Sequence, residues 1–337
     1  GIGQGKGIPT PWIAGAIISG AYFGDKISPL SDTTVIASSS SGTPLFTHIR
    51  YMMITTTPSF VIALLVFLIV GFTFKTTPET NVVLFIDALK DTFNINISLL
   101  IIPLITLILI FLKLPSLVVL FISAFLAAIT IPIAQPEILS NIIDIDVRTT
   151  LMDAFKAVFI SCYGTTSVTT SNEMLTDLIS TRGMSGMMNT IWLIISAMCF
   201  GGVMMGSGMI SSITNFIMKL IKRTVSLVAS TVFTGIFSNI CISDQYLSII
   251  LTANIFKDYY EKNGYETRLL SRTVEDSATV TSVLVPWNTC GMTQATVLNV
   301  ATLSYLPYCI FNLLSPIMSI VIAALGYKIY KKPVAES

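Results

Sequence analysis

Long stretches of this sequence carry no charged side chain and no histidine. They are residues 51–74, 92–112, 114–136, 183–218, 224–243 and 277–327, and the last of them is 51 residues long. A helix needs about 20 mostly apolar residues to cross the hydrocarbon core of a bilayer. Helices also satisfy their own backbone hydrogen bonds there, which irregular chain does not. The stretches therefore predict an all-α, polytopic membrane protein with six to eight crossings.

The charge balance, the motifs and the metal-binding residue types exclude several classes of function. The 337 residues include 19 basic and 18 acidic side chains, so no basic excess is left for nucleic acid. The sequence has no Walker motif and no GxSxG turn, which argues against nucleotide hydrolysis and serine-type catalysis. Five cysteines without a CxxC pair and a single histidine argue against a resident metal centre. We expect no enzyme activity and no cofactor. Since Thr47 and Arg50 flank His48, we expect this histidine in an interfacial loop.

The first polar interruption follows the apolar stretch 11–24 and ends before a second piece that resembles a half-helix, 35–41. A helix break within the membrane is tolerated only where it is buried in protein or lines an aqueous cavity. Carboxylate and hydroxyl oxygens are the ligands that hard cations such as Na⁺ prefer, and intramembrane ionisable residues are functional by default. The candidate ion ligands here are Asp25, Ser28, Ser31, Asp32 and Thr33. The alternative is an ion pair of Lys26 with Asp25 or Asp32 that only fastens two helices.

A second interruption with similar chemistry spans 272–289. Its candidate ion ligands are Glu275, Asp276, Ser277 and Asn288. For Glu275 the alternative is an ion pair with Arg272 at helical spacing. A third interruption, 238–245, contributes Asp244, for which a helix N-cap is an equal alternative. We expect the transported cation to contact Asp25, Asp32 and Asp276 directly.

A weak internal repeat relates the first and second interruptions. Pro29 precedes Pro58 by 29 residues, and Pro286 precedes Pro316 by 30. Corresponding broken segments in two halves are typical of transporters with inverted repeats, whose substrate site lies where the halves meet. We therefore predict three parts: 1–134 with the end of the first repeat, its broken helix and the following spans, 135–186 as an amphipathic linker, and 187–337 as the second repeat with broken helices.

The distribution of lysine and arginine indicates the orientation of the chain. The loop 257–272 is rich in basic residues, and so is the tail from Lys328 onward. Cytoplasmic loops of membrane proteins carry an excess of such residues. We expect both segments in the cytoplasm, with the uncharged turn 299–305 on the opposite side.

A buried carboxylate escapes its desolvation penalty either by binding a cation or by taking up a proton. When these options exclude each other, a site that alternates between two faces exchanges Na⁺ for H⁺. The gradient of one ion then drives the other. Two acidic interruptions in separate halves favour alternating access over a continuous pore.

Four segments closely resemble the NhaC-type Na⁺/H⁺ antiporters, and together they span most of the chain in order. They are SGAYFGDKISPLSDTT (Ser19–Thr34), GTPLFTHIRYM (Gly42–Met52), SNICISDQY (Ser238–Tyr246) and SRTVEDSATVTSVLVPWNTCG (Ser271–Gly291). The resemblance implies a multi-pass antiporter of the bacterial cytoplasmic membrane, with Na⁺ and H⁺ as substrates and the acid and hydroxyl residues above along the ion pathway. Membrane lipid and a second copy in a homodimer are the partners it allows.

Two further expectations come from the same resemblance. NhaC-type proteins generally carry several more spans at the N-terminus, which implies that this chain begins inside a longer protein. The family also includes exchangers that couple Na⁺ and H⁺ to malate or lactate, and this alternative stays open. In such an exchanger an anion would be held by half-helix N-termini or by Lys26.

Overall fold

The computed structural model describes residues 7–29, 31–74, 79–112, 116–143, 150–168, 183–219 and 221–331, with isolated positions at 114, 170, 176 and 179–181. These residues form helices and no β-strand, apart from two isolated bridges, Thr166–Thr181 and Tyr265–Lys331. The predicted all-α fold with discontinuous helices is confirmed.

Seventeen α-helices are described, several of them separated by only a few residues. In chain order they are α1 (Thr10–Ile27), α2 (Asp32–Ser41), α3 (Leu45–Thr73), α4 (Glu79–Thr92), α5 (Ile101–Phe111), α6 (Ser116–Ala134), α7 (Pro136–Ile143), α8 (Leu151–Tyr163), α9 (Gly183–Gly186), α10 (Met188–Gly206), α11 (Met209–Met218), α12 (Thr224–Ile242), α13 (Gln245–Lys262), α14 (Thr267–Val274), α15 (Thr289–Leu298), α16 (Thr302–Tyr305) and α17 (Ile310–Ala324).

The chain forms two compact units. The first comprises residues 1–8 and 76–189. Within it α5 packs on α6, where the Thr106 and Ser123 hydroxyls lie 2.7 Å apart, and α7 packs on α8. The pairing of α5 with α6 agrees with the two neighbouring apolar windows in the sequence. The division of the chain into repeat, linker and repeat stays a prediction.

The second unit comprises residues 9–75 and 190–337 and contains the three predicted interruptions. Helices α12, α13 and α14 pack together with α2, and α3 packs on α17 and α1. The largest cluster of buried apolar side chains lies among α12, α13 and α14 and includes Leu227, Ile249, Phe256 and Leu269. This packing holds the interrupted helices in place.

Three helical segments in the described residues are long and apolar enough to cross a membrane: Leu45–Thr73, Gly183–Gly206 and Thr224–Ile242. Two bent helix pairs raise the number to five: Ile86–Thr92 with Ile97–Phe111, and Thr302–Tyr308 with Ile310–Ala324. This number is below the six to eight crossings that the uncharged windows predict. The two numbers differ because several uncharged windows fold as interrupted helices, and a count of continuous helices leaves these out.

The interruption after α1 is shorter than the sequence suggested. Helix α1 continues through Asp25 and Lys26 to Ile27, and α2 already begins at Asp32. Only residues 28–31 separate the two helices, and Pro29, which cannot donate a backbone hydrogen bond, lies there. Lys26 therefore occupies the last turn of a helix, where a cation is favoured by the helix dipole.

The prediction that His48 lies in an interfacial loop is wrong. His48 is buried in the first turn of α3, and its Nδ1 lies 2.9 Å from the Ser271 hydroxyl. The polar neighbours Thr47 and Arg50 point to the exposed side of the same helix. His48 shares the buried face with Tyr51 and Thr55, which follow at helical spacing.

A tight glycine contact at the start of α15 gives a first testable prediction. A Cβ added at Gly291 would lie 2.1 Å from the Val285 carbonyl oxygen, which is backbone and has little room to move. We expect Gly291→Ala to lower the free energy of unfolding by about 1–3 kcal/mol. Gly20→Ala is the matched control, since nothing lies within 4 Å of its Cβ position in α1 and alanine favours helix by about 0.5–1 kcal/mol. Thermal unfolding in detergent measures both, and equal unfolding temperatures would contradict the contact.

Candidate functional site

The backbone of the second interruption leaves the α-helical pattern directly after α14. Residues Glu275–Thr279 form a π-helical turn and Ser282–Leu284 a 3₁₀ turn, and Val285 is extended. Single π-helical turns occur frequently at functional sites. The acidic residues Glu275 and Asp276 are therefore presented from an irregular turn inside the second unit.

Three side-chain amides satisfy the carbonyl groups of this irregular backbone. They come from Asn239 in α12, Gln245 at the start of α13 and Asn312 in α17. Their donor nitrogens lie 2.7, 2.9 and 2.8 Å from the carbonyl oxygens of Ala278, Thr279 and Val280. An unsatisfied backbone group within a membrane costs several kcal/mol. These bonds explain how a broken helix is stable there, and they connect it to three neighbouring helices.

A buried ion pair between Lys26 and Asp276 lies at the centre of the unit. The Lys26 ammonium contacts Asp276 Oδ1, and both side chains are fully buried. The hydroxyls of Thr55 in α3 and Ser315 in α17 donate to the same carboxylate oxygen at 3.1 and 3.2 Å. Asp276 Oδ2 has no hydrogen-bond partner among the described residues. One carboxylate thus collects a cation and two hydroxyls and keeps one oxygen unpartnered.

The first interruption positions Lys26 for this contact. The Thr34 hydroxyl in α2 lies 3.3 Å from the Lys26 carbonyl oxygen, which ties the end of α1 to the start of α2. The Lys26 ammonium also donates to Ser315 at 2.9 Å and lies 5.7 Å from the centre of the Phe311 ring. Breaking a buried ion pair by removing one partner destabilises a protein by about 3–5 kcal/mol. The pair is therefore a strong local constraint, and the expected alternative of Lys26 with Asp25 or Asp32 does not form.

The other acids of the first interruption lie apart from Asp276. Asp25 and Asp32 are both exposed, and Asp25 accepts a hydrogen bond from Thr33 at 3.0 Å. Thr33 in turn lies 2.9 Å from the Ser31 hydroxyl, and the Ser28 amide donates to the Asp25 carbonyl. Within the described residues no three Asp, Glu, His or Cys side chains are close enough to hold a metal ion. The structure does not bring Asp25, Asp32 and Asp276 into one site.

Asp244 adopts the structural alternative that the sequence left open. Its carboxylate caps α13 by accepting a hydrogen bond from the Leu247 amide at 2.9 Å. The Asp244 side chain is half-buried. This cap accounts for Asp244 by the structure of the helix start alone.

The remaining candidates surround Asp276 with different partners. Glu275 is fully buried, and neither of its carboxylate oxygens has a hydrogen-bond partner among the described residues. Ser277 donates to the Thr273 carbonyl at 2.7 Å and packs against Gly235, while Asn288 caps α15 and donates to the Asn239 carbonyl at 3.1 Å. Both oxygens of Glu275 and one of Asp276 thus have no partner among the described residues, whereas Ser277 and Asn288 bond to backbone groups.

Sequence reasoning missed Thr55 and Ser315 as neighbours of Asp276. Both lie in uncharged spans, which were interpreted only as membrane crossings. A signal was present, because each hydroxyl lies within three residues of a proline inside a helix, Pro58 in α3 and Pro316 in α17. Pro58 and Pro316 are the second prolines of the two halves of the predicted internal repeat.

Interrupted helices, uncharged spans and a buried charge pair are typical of polytopic membrane transporters. A family model described as the Na⁺/H⁺ antiporter family matches residues 20–327. The chain belongs to this family, whose members are transporters rather than enzymes, and it is a multi-pass protein of the cell membrane. The resemblance read from the sequence is confirmed.

Individual relatives differ in the substrates their names give. The Na⁺/H⁺ antiporter NhaC of Alkalihalophilus pseudofirmus is 33% identical over 98% of this chain and 69% of its own length. The malate-2H⁺/Na⁺-lactate antiporter of Bacillus subtilis is 36% identical over 91% of the chain and 63% of its own length. The arginine/ornithine antiporter ArcD of Halobacterium salinarum is 32% identical over 100% of the chain and 67% of its own length. The chain thus spans about two thirds of the length of these curated relatives. No solved structure matches it significantly.

Proposed function

We propose that this protein exchanges Na⁺ for H⁺ across the cell membrane by alternating access, and that Na⁺ competes with the Lys26 ammonium for the Asp276 carboxylate. The observation that carries the proposal is the buried ion pair between Lys26 at the end of α1 and Asp276 in the interruption after α14. Intramembrane ion pairs of this kind mark ion pathways and proton relays. Membership of the Na⁺/H⁺ antiporter family supports the same cargo.

The chemistry of the exchange follows from the groups around Asp276. Na⁺ prefers oxygen ligands, and the Asp276 carboxylate with the Thr55 and Ser315 hydroxyls provides them. When Na⁺ binds there, it displaces the Lys26 ammonium. An ammonium left buried without a partner is strongly unfavourable, so Lys26 releases its proton. When Na⁺ leaves, Lys26 takes up a proton and restores the pair, and the net charge of the site is the same in both states.

The other predicted ligands fit around this centre as parts of the proposal. Glu275 supplies a second buried carboxylate next to Asp276 in the chain. The exposed acids Asp25 and Asp32 attract cations to the approach, because like charges in one region raise the local concentration of the opposite ion. The half-buried Asp244 and the hydroxyls of Ser28, Ser31 and Thr33 complete the predicted set at the first and third interruptions. Ser277 and Asn288 act by holding the interruption.

A second candidate is exchange of Na⁺ and H⁺ coupled to a small organic acid. The Bacillus subtilis relative is named for malate and lactate. A buried arginine without a carboxylate partner among the described residues, Arg272, favours this candidate. In both forms Asp276 has the same role.

An ion-exchange assay in everted membrane vesicles tests the proposal. A pH-sensitive dye reports the proton gradient while Na⁺, Li⁺, K⁺, malate and lactate are added in turn. We expect Na⁺ to release the dye quenching at concentrations where K⁺ does not, because K⁺ is larger and more weakly held by a compact oxygen site. Vesicles from cells without the protein are the control. An equal response to Na⁺ in both vesicle preparations would contradict the proposal.

A further inference from the structure

Arg272 is a fully buried cation without an acidic partner among the described residues. Its Nε and both terminal nitrogens have no hydrogen-bond partner among the described residues. The expected pair with Glu275 does not form. A guanidinium group has five N–H donors and is always charged. Burial of an unpaired charge is strongly unfavourable, so a bound anion would stabilise this group.

The guanidinium group of Arg272 lies over the aromatic ring of Tyr51. The central carbon of Arg272 lies 4.6 Å from the ring centre, and that of Arg268 lies 5.8 Å from the same ring. The Tyr51 hydroxyl donates to the Lys328 carbonyl at 2.7 Å, which fixes the ring. A cation–π contact stabilises one face of a guanidinium and leaves the N–H donors at its edge unused. Those donors are the ones that bind a planar anion.

The helical spacing connects Arg272 to the surface and to the ion site. Arg268 and Arg272 are four residues apart and lie on one side of α14, and Asp276 follows in the π-helical turn directly after this helix. Four residues of an α-helix span about 6 Å along its axis. Arg268 is partly exposed and forms an ion pair with Glu266, while Arg272 and Asp276 are fully buried. Arg272 thus lies one helical turn beyond the partly exposed Arg268–Glu266 pair.

We propose that Arg272 binds the carboxylate group of a small organic anion that enters from the predicted cytoplasmic end. The inference rests on the second form of the proposed function, in which Na⁺ and H⁺ are coupled to an organic acid. Two parallel N–H donors of arginine match the two oxygens of a carboxylate. Chloride lacks this two-oxygen geometry. The assignment differs from the sequence expectation that Lys26 or half-helix N-termini hold the anion, since Lys26 is already paired with Asp276.

Ligand-dependent thermal unfolding of the purified protein in detergent tests this site. L-malate, L-lactate and chloride are titrated at constant Na⁺ and constant ionic strength. The proteins compared are the wild type, Arg272→Lys, Arg272→Gln and, as matched control, Arg50→Gln, which changes an exposed arginine of α3. We expect a saturable rise in unfolding temperature with at least one carboxylate for the wild type and Arg50→Gln. The apparent Kd should increase about tenfold or more in both Arg272 variants, because hydrogen bonds to a charged group are lost.

Three results would overturn the inference. They are the absence of a saturable shift with both carboxylates in the wild type, an unchanged Kd in Arg272→Lys, and saturation by chloride at the same concentration as the carboxylate. Arg272→Lys keeps the charge and is the variant expected to fold if Arg272→Gln does not. The exchange assay with Na⁺ alone reports on Asp276 without any organic anion. A failure of Na⁺/H⁺ exchange is therefore distinguishable from a failure of anion binding.

Discussion

Replacement of Asp276 by Asn should abolish Na⁺-dependent proton exchange, with a loss of at least about 100-fold. Asparagine has nearly the same shape but no charge, so the site loses the group that binds Na⁺ and pairs with Lys26. Loss of a buried ion-pair partner corresponds to about 3–5 kcal/mol, which is roughly two to three and a half orders of magnitude in an equilibrium constant. The measurement is dye dequenching in everted vesicles at equal protein levels.

Two further variants separate a lost ion site from a lost fold. Asp258→Asn changes an exposed acid on α13 and should exchange Na⁺ like the wild type. The double variant Lys26→Gln/Asp276→Asn removes both charges, so neither member of this pair is left buried alone, and it should reach the membrane but not exchange. Exchange above about a tenth of the wild-type rate in Asp276→Asn would exclude Asp276 as the ion-binding carboxylate.

Much of the fold follows from local sequence, because membrane burial makes polarity a sharp signal. The second interruption was predictable since Glu275 and Asp276 open an otherwise uncharged stretch, and Pro286 and Asn288 follow in it. The third interruption was predictable from Ser243 and Asp244, and α12 does end before them. In each case a few adjacent residues determine where the helix stops.

The partners of the charged groups could not be derived in the same way. Lys26 and Asp276 are 250 positions apart, and their contact depends on how α1 packs against α17 and α3. Spacing arguments therefore offered only nearby partners, Asp25 and Asp32 for Lys26 and Glu275 for Arg272. Neither local pair is among the described ion pairs. Lys26 instead pairs with Asp276, and the Arg272 guanidinium lies over the Tyr51 ring.

His48 illustrates a second limit of sequence reasoning. Its polar neighbours suggested a loop, although residues at adjacent positions of a helix point in different directions. The helical period places His48 with Tyr51 and Thr55, which are all buried. The identity of the buried face becomes clear only when α14 is known to pack against it, as the contact with Ser271 shows. The same face carries Thr55 to Asp276 and Tyr51 to Arg272.

Replacement of Lys26 by Gln should make the stability of the protein strongly dependent on Na⁺. Without Lys26, Asp276 is a buried carboxylate whose remaining partners are the Thr55 and Ser315 hydroxyls. Removal of one partner of a buried pair lowers the free energy of unfolding by about 3–5 kcal/mol. Na⁺ can replace the missing charge, and a ligand at 100 times its Kd restores about 2.7 kcal/mol. Thermal unfolding in detergent, with and without Na⁺, measures both effects.

Comparison with K⁺ and with the double variant makes this result specific to the proposed site. Na⁺ should raise the unfolding temperature of Lys26→Gln far more than that of the wild type, in which the Lys26 ammonium already occupies the carboxylate. The double variant Lys26→Gln/Asp276→Asn should show no Na⁺ effect beyond that of K⁺, since it has no carboxylate at this position. Protons should weaken the Na⁺ effect in Lys26→Gln because they compete for the same oxygen atoms. If Na⁺ stabilises the double variant as much as Lys26→Gln, then Na⁺ binds elsewhere and Lys26 and Na⁺ do not compete for Asp276.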